Sequence, residues 1–164
     1  MKIENIELYY LSMPEVLDEA DGSQDALIVK VEGGGLIGWG ECEASPLTSI
    51  ANFVCPKSHS AANPVRDSII NQELNNLEDV KKISRKVKLR SLMIAQTPHT
   101  FSGIEVAILD LLAKKEQCPI YELLGYKKSI PKLAYASVLF GKTPEETLDI
   151  AKKMRQKNFK AVKF

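Results

Sequence analysis

The chain has 164 residues, 45% of them apolar and 26% charged, with 22 Lys+Arg against 21 Asp+Glu. A formal charge of +1 argues against a nucleic-acid binder working through bulk positive charge, and no stretch approaches the ~18 uninterrupted apolar residues that span a bilayer. The acidic N-terminus lacks the apolar run of a signal peptide, and the three scattered cysteines, Cys42, Cys55 and Cys118, fit neither a disulfide framework nor a paired-cysteine metal site and read as reduced thiols of a cytoplasmic protein.

The first 45 residues read as strands. Ile6, Leu8 and Tyr10 alternate with Glu7, Tyr9 and Leu11, and Leu27, Val29 and Val31 alternate with Ile28, Lys30 and Glu32. Period-2 alternation in segments rich in Ile, Val and Tyr predicts strands. Glu32-Gly33-Gly34-Gly35-Leu36 reads as a tight hairpin, because glycine supplies the positive φ such turns need. A third strand runs from Leu36 to about Ala44, where the Ile37/Trp39 face turns acidic at Glu41 and Glu43. Together these predict a three-stranded antiparallel meander. Two connections, residues 14–24 and 45–63, are too long for tight turns, and loops of that length tend to carry function.

Helices follow. Asn63-Pro64 reads as an N-cap with proline at the first helical position, opening a helix through Leu74. Val80, Ile83, Val87 and Leu92 predict a second amphipathic helix, stopped before Thr97-Pro98. A third runs from about Ser102 to Gln117. Only Glu105 and Asp110 are polar between Ile104 and Ala113, so this helix is expected to be mostly buried. Asp110 and Lys114 form an i,i+4 pair suited to structural charge satisfaction. A one-turn helix over 120–124 closes at Gly125.

The pattern then changes. Residues 133–140, Leu-Ala-Tyr-Ala-Ser-Val-Leu-Phe, predict a strand buried on both faces. Thr143-Pro144-Glu145-Glu146 is a capping box for a helix striped by Leu148, Ala151 and Met154. Its C-terminal half is cationic, as the helix dipole favours, and Asn158 suits a left-handed stop. Residues 160–164 return to an extended segment. Strand, helix and strand with a crossover of this length pair in parallel, and two such strands cannot cover their own faces. The expected organisation is an α+β unit over 1–130, then 131–164 as the beginning of a βα-repeat structure.

Several segments carry a family resemblance. They are Gly38-Trp39-Gly40-Glu41, the run Ser102-Gly103-Ile104-Glu105-Val106-Ala107-Ile108-Leu109-Asp110-Leu111-Leu112-Ala113-Lys114, Pro119-Ile120-Tyr121-Glu122-Leu123-Leu124-Gly125, Ala134-Tyr135-Ala136-Ser137 and Phe159-Lys160-Ala161-Val162-Lys163. In this order they resemble the mandelate racemase and muconate-lactonizing branch of the enolase superfamily. The resemblance implies an α+β capping domain (the meander and a helical bundle) followed by the first βαβ of a TIM-type barrel. A complete barrel needs ~200 residues or more, so the barrel is expected to be truncated here.

The family's chemistry is abstraction of the proton α to a carboxylate, with Mg²⁺ stabilising the enediolate and a Lys or His as base. The implied enzyme is a racemase, cycloisomerase or acid-sugar dehydratase acting on a small-molecule carboxylate. Its implied magnesium ligands lie on later strands, so no metal ligand is expected within the 164 residues, which alone should lack activity. Lys163 matches the first lysine of the family's Lys-x-Lys, beside the catalytic base and the substrate carboxylate. Ser137 matches a position on the first barrel strand that contacts substrate in some members. Residues 14–24, with Glu15, and 45–63, with His59, match the two capping loops that select substrate. Neither nucleic acid nor membrane is an expected partner, and a homo-oligomer is compatible with the family.

Each residue also has a plainer reading. Lys163 could be a solvated lysine in a lysine-rich stretch and Ser137 a small packed polar residue. Glu41 and Glu43 read better as a solvated face than as a metal pair. The rival for the whole chain is a self-contained, non-catalytic α+β binding module that buries residues 133–140 and 160–164 internally.

Overall fold

The computed structural model describes residues 1–16, 24–42, 45–128 and 130–164. They fall into two compact units. The first comprises Met1–Val16 and Gln24–Lys128, and the described part of the second runs from 130 to 164.

The first unit opens with the expected meander of β1 (Asn5–Leu11), β2 (Ala26–Gly33) and β3 (Leu36–Cys42), paired antiparallel in that order. Gly33 faces Leu36 across the hairpin, and Gly34 and Gly35 both take positive φ, 56° and 75°, as a primed two-residue turn requires. Glu43 lies outside the described residues, so the acidic end of β3 is represented by Glu41, which is exposed.

Leu27, Val29 and Val31 on β2 are fully buried. They face α3 (Thr97–Lys115), whose Ile104, Ala107, Ile108, Leu111 and Leu112 complete the core. Ile37, Trp39 and Glu41 form the outer face of β3, and its inner face is nearly bare. A Cβ on Gly38 would lie 2.0 Å from the Ala107 carbonyl oxygen, and one on Gly40 would lie 2.1 Å from that of Gly103. Helix and strand therefore touch backbone to backbone.

Asp110 and Lys114 are paired at 2.7 Å as the i,i+4 spacing suggests. They also satisfy the open edge of β3. Asp110 accepts the Trp39 backbone N–H at 2.8 Å, and Lys114 donates to the Ile37 carbonyl at 2.8 Å. An edge strand's unpaired groups are thus covered by one helix.

Several expected elements need correction. Residues 45–63 are not an open loop throughout, because α1 (Pro46–Val54) occupies their first half. Its buried face holds Ser49 and Asn52 beside Phe53, and that polar content hid the helical period. Asn52 donates to the Ala95 carbonyl at 2.6 Å and to Thr100 Oγ1 at 3.2 Å.

The expected helix over 63–74 is a single 3-10 turn, Val65–Ser68. Asn63 is not its cap, because its side-chain amide donates to the carbonyls of Ser60 and Arg90 instead. Beyond the turn the backbone pairs with the N-terminus. Ile3 N–H donates to Gln72 O at 3.0 Å, Asn71 N–H to Ile3 O at 2.8 Å, and Leu74 N–H to Met1 O at 2.7 Å. Asn71 sits at φ 64°, which no helix continues through.

Helix α2 (Leu77–Arg90) is present with Val80, Ile83 and Val87 inward, and Asn76 caps it by accepting from the N–H groups of Glu78 and Asp79. Leu92 lies past its end. Thr97-Pro98 starts α3 rather than only stopping α2, because proline fits a first helical turn. The short α4 (Ile120–Leu123) ends at Gly125, φ 91°.

The second unit contains β4 (Ala136–Ser137), α5 (Pro144–Gln156) and β5 (Val162–Lys163), with β4 and β5 parallel. Thr143 Oγ1 caps α5 through the Glu146 N–H at 3.2 Å. Glu146 reaches back to the Lys142 N–H at 2.8 Å, one residue before the usual box partner. Asn158 closes the turn at φ 69°.

The predicted strand over 133–140 is a second correction of extent. Only two residues pair, and Leu133 and Phe140 are 78% and 67% exposed. A ladder reaches only as far as its partner strand, and here that partner is two residues long. No helix among the described residues is long and apolar enough to cross a membrane.

Candidate active-site residues

Two of the residues singled out in the sequence stand together. Ser137 and Lys163 are register partners across the parallel pair β4–β5. The ladder bonds flank them, Ala136 N–H to Ala161 O and Val138 N–H to Lys163 O, both at 3.0 Å. Side chains alternate along a strand and register partners share a face. Ser137 and Lys163 therefore present a hydroxyl and an ammonium side by side at the C-terminal ends of two parallel strands. Ala136, one step back, faces the other way and is buried. Both side chains are exposed, and among the described residues neither is engaged in a side-chain hydrogen bond or ion pair. A crossover of strand, helix and strand places such ends on one rim, where parallel α/β structures gather reactive groups.

Glu15 and His59 belong to the first unit. Glu15 is exposed just before residues 17–23, which lie outside the described part, as does most of the first loop. The base of that loop has an anchor the sequence did not announce. Asp25 accepts the Met13 backbone N–H at 2.8 Å and the Tyr10 phenol. These donors hold its carboxyl below the usual carboxylate range, the Tyr10 phenol contributing most. A lone aspartate before a strand carries no signal of such a role, because the partners come from across the hairpin neck.

His59 lies in a clipped turn. It forms an isolated bridge with Ala62, Ser58 N–H donates to Ala62 O at 3.0 Å, and Ala62 N–H donates to His59 O at 3.1 Å. Asn63, buried beside it, holds the turn against the end of α2. Its amide donates to Ser60 O at 2.7 Å and Arg90 O at 2.9 Å, and Ser91 Oγ donates to Asn63 O at 2.6 Å. His59 itself is exposed, with Nδ1 3.4 Å from Ser58 Oγ. The turn is thus built to hold a shape while its histidine faces water.

No three His, Cys, Asp or Glu side chains among the described residues come together as a metal site. Glu41 is exposed on the outer sheet face, away from Asp110, which is committed to the edge of β3. These residues alone do not fit a magnesium ion. Cys42 is no nucleophile. Its Sγ donates to Thr100 O at 3.3 Å, and burial pushes the thiol up to about 11, so it holds its proton.

A model of the mandelate racemase / muconate lactonizing enzyme N-terminal domain matches residues 17–125. The chain belongs to the mandelate racemase / muconate lactonizing enzyme family. The resemblance read from the sequence, to this branch of the enolase superfamily, is correct.

The chain is 55% identical to a protein from Rhodobacter sphaeroides described as a predicted mandelate racemase, with a TM-score of 0.93 over 99% of this chain and 42% of that one. It is 20% identical to a mandelate racemase/muconate lactonizing enzyme-like protein from Rubrobacter xylanophilus, TM-score 0.68, covering 98% of this chain and 41% of that one. Among curated proteins it is 25% identical to an N-succinyl-L-Arg/Lys racemase from Bacillus cereus, over all of this chain and 44% of that protein. The chain spans less than half the length of these relatives. The antiparallel meander, the helices and the small parallel β4–α5–β5 unit are the N-terminal architecture of this mandelate racemase-like fold, a capping domain followed by the opening of a barrel.

Proposed function

We propose that these residues are the cap and first barrel strands of an enzyme that removes the proton α to a carboxylate, with the cap ending near residue 130. The observation that carries this reading is the pairing of Ser137 with Lys163 at the C-terminal ends of adjacent parallel strands, in a chain of this family. An ammonium at a barrel rim attracts a substrate carboxylate and stabilises negative charge that grows next to it during deprotonation. The neighbouring hydroxyl of Ser137 donates to the same carboxylate and orients it.

The first-unit loops supply selection. We assign Glu15 and His59 to the substrate-facing surface of the cap, Asp25 to the neck of the first loop, and Asn63 to the shape of the second. Mg²⁺ is the cofactor we assign to the intact protein. Its ligands are expected on later strands, so the 164 residues alone are expected to bind it weakly and to be inactive.

The reaction class is racemisation or epimerisation of an amino-acid derivative, supported by the N-succinyl-L-Arg/Lys racemase. Apolar side chains left open on residues 133–140, Leu133 and Phe140 above all, support the barrel reading over a self-contained module, which has to bury them.

Lys163 is the residue to test. In the intact protein, with N-succinyl amino acids as substrates, Lys163→Met is expected to lower kcat/KM by ~10²–10³-fold, and Ser137→Ala to act mainly on KM. Full activity in Lys163→Met would remove Lys163 from the site.

A further inference from the structure

The second loop, residues 45–63, is tied down at two places, and both ties end on one short stretch of chain. That stretch is the connection between α2 and α3 with the residues that flank it. At one end Asn52, on the buried face of α1, donates to the Ala95 carbonyl at 2.6 Å and to Thr100 Oγ1 at 3.2 Å, and Thr100 Oγ1 donates in turn to Ser49 Oγ at 3.3 Å. At the other end Asn63 uses every polar atom it has. Its backbone N–H and its side-chain amide both donate to the Arg90 carbonyl at 2.9 Å. Its Oδ1 accepts from the Arg90 guanidinium at 3.2 Å, and its carbonyl accepts from Ser91 Oγ at 2.6 Å. A backbone bond joins the pieces again between these ties, from Met93 N–H to Ala61 O at 2.9 Å.

The connection is itself held to one shape. Thr97 Oγ1 lies 3.0 Å from Ser91 O and 2.9 Å from Ile94 O and shares its single proton between them. Gln96 sits at φ 60°, a left-handed conformation that a residue with a Cβ keeps only where its surroundings over-determine it. Asn52, Asn63, Ser91, Thr97 and Thr100 are all buried within the first unit itself. A buried polar network with its members partnered fixes one arrangement, because each lost partner leaves a costly polar group behind. Joining two helices asks none of this of a connection. Holding both ends of a neighbouring loop does.

We propose, resting on the assignment of this loop and its His59 to the substrate-facing surface, that the α2–α3 connection sets substrate selectivity through the loop it carries. Asn52, Asn63 and Thr97 are positioning residues. They fix where residues 53–62 stand, His59 among them, and touch no substrate themselves. A misplacement of about 1 Å at a group that meets substrate changes rates by up to about 100-fold, so the loss of one buried hydroxyl reaches the reaction through the loop.

The test uses the intact protein and two N-succinyl amino acids, one with a long side chain and one with a short. Thr97→Val keeps the shape of the side chain and removes its hydroxyl, Thr97→Ser keeps the hydroxyl, and Asn52→Ser withdraws the amide from Ala95 and so reads the other tie independently. Thr97→Val and Asn52→Ser are each expected to change the ratio of the two kcat/KM values about fivefold or more. Both are also expected to speed amide exchange over residues 53–62 about tenfold or more, with the middle of α2 unchanged. Thr97→Ser is expected to keep the ratio and the exchange of the wild type. A purely structural role lowers the amount of folded enzyme, which cancels in the ratio. His59→Ala is expected to shift the ratio without changing the exchange. Unchanged exchange over 53–62 in both anchor variants overturns this proposal, whatever becomes of the substrate-facing reading. So does an unchanged ratio in both when His59→Ala shifts it. An unchanged ratio in His59→Ala, or no turnover of either compound, removes the substrate-facing reading, and the proposal falls with it.

Discussion

Gly38, Gly40 and Gly103 set how closely β3 and α3 approach. A Cβ on Gly103 would lie 2.6 Å from the Cys42 backbone nitrogen, and one on Gly40 would lie 2.1 Å from Gly103 O. Both obstacles are backbone, which cannot swing aside as a flexible side chain can. Gly40→Ala is therefore expected to force strand and helix apart and to cost about 1–3 kcal/mol or more, read as a lower urea midpoint at unchanged slope. Cys42, seated in the same contact, is expected to resist thiol reagents at pH 8, because its pKa of about 11 leaves almost no thiolate. Mass spectrometry after brief labelling should find label on Cys55 and Cys118, both more accessible, and none on Cys42. Sequence alone showed the glycines in a family-like segment but not what they touch, since a close approach is a property of two elements together.

At the scale of elements, legibility followed the purity of the pattern. The meander could be read because β2 alternates cleanly, each inward residue apolar and each outward one polar or half-exposed. Helix α3 could be read because its core-facing positions are apolar for several turns. Helix α1 could not, because its buried face is built on Ser49 and Asn52, which are satisfied by Thr100 and Ala95. Residues 63–74 read as helical from local signals, and the long-range pairing of Ile3 with Asn71 and Gln72 overrode them. Where side-chain caps are present they can be tested. Asn76→Ala should remove the acceptor for two N–H groups of α2 and cost about 1 kcal/mol. Thr143→Ala should do the same for α5 and appear as faster amide exchange over the first turn of that helix alone.

At the scale of the molecule, two units carry two kinds of candidate. The first holds loops whose bases are anchored by Asp25 and Asn63, and the second holds the Ser137–Lys163 pair. The parallel pairing of their strands was legible, since β4, α5 and β5 were foreseen in order, but the register that sets Ser137 beside Lys163 was not. Their meaning came only from family resemblance, because a lysine at a strand end is by itself unremarkable. The roles of Asp25 and Asn63 were not legible, since each depends on a distant partner, Met13 for Asp25, 12 residues away, and Arg90 for Asn63, 27 residues away. The most direct measurement is exchange of the α-hydrogen, made on the intact protein in deuterated water with Mg²⁺ and N-succinyl amino acids. The expected result is loss of the α-proton resonance and a gain of one mass unit, abolished by chelation and slowed by Lys163→Met. An intact protein that binds divalent metal but exchanges no α-proton of any carboxylate offered, or that exchanges equally well without Lys163, would contradict it.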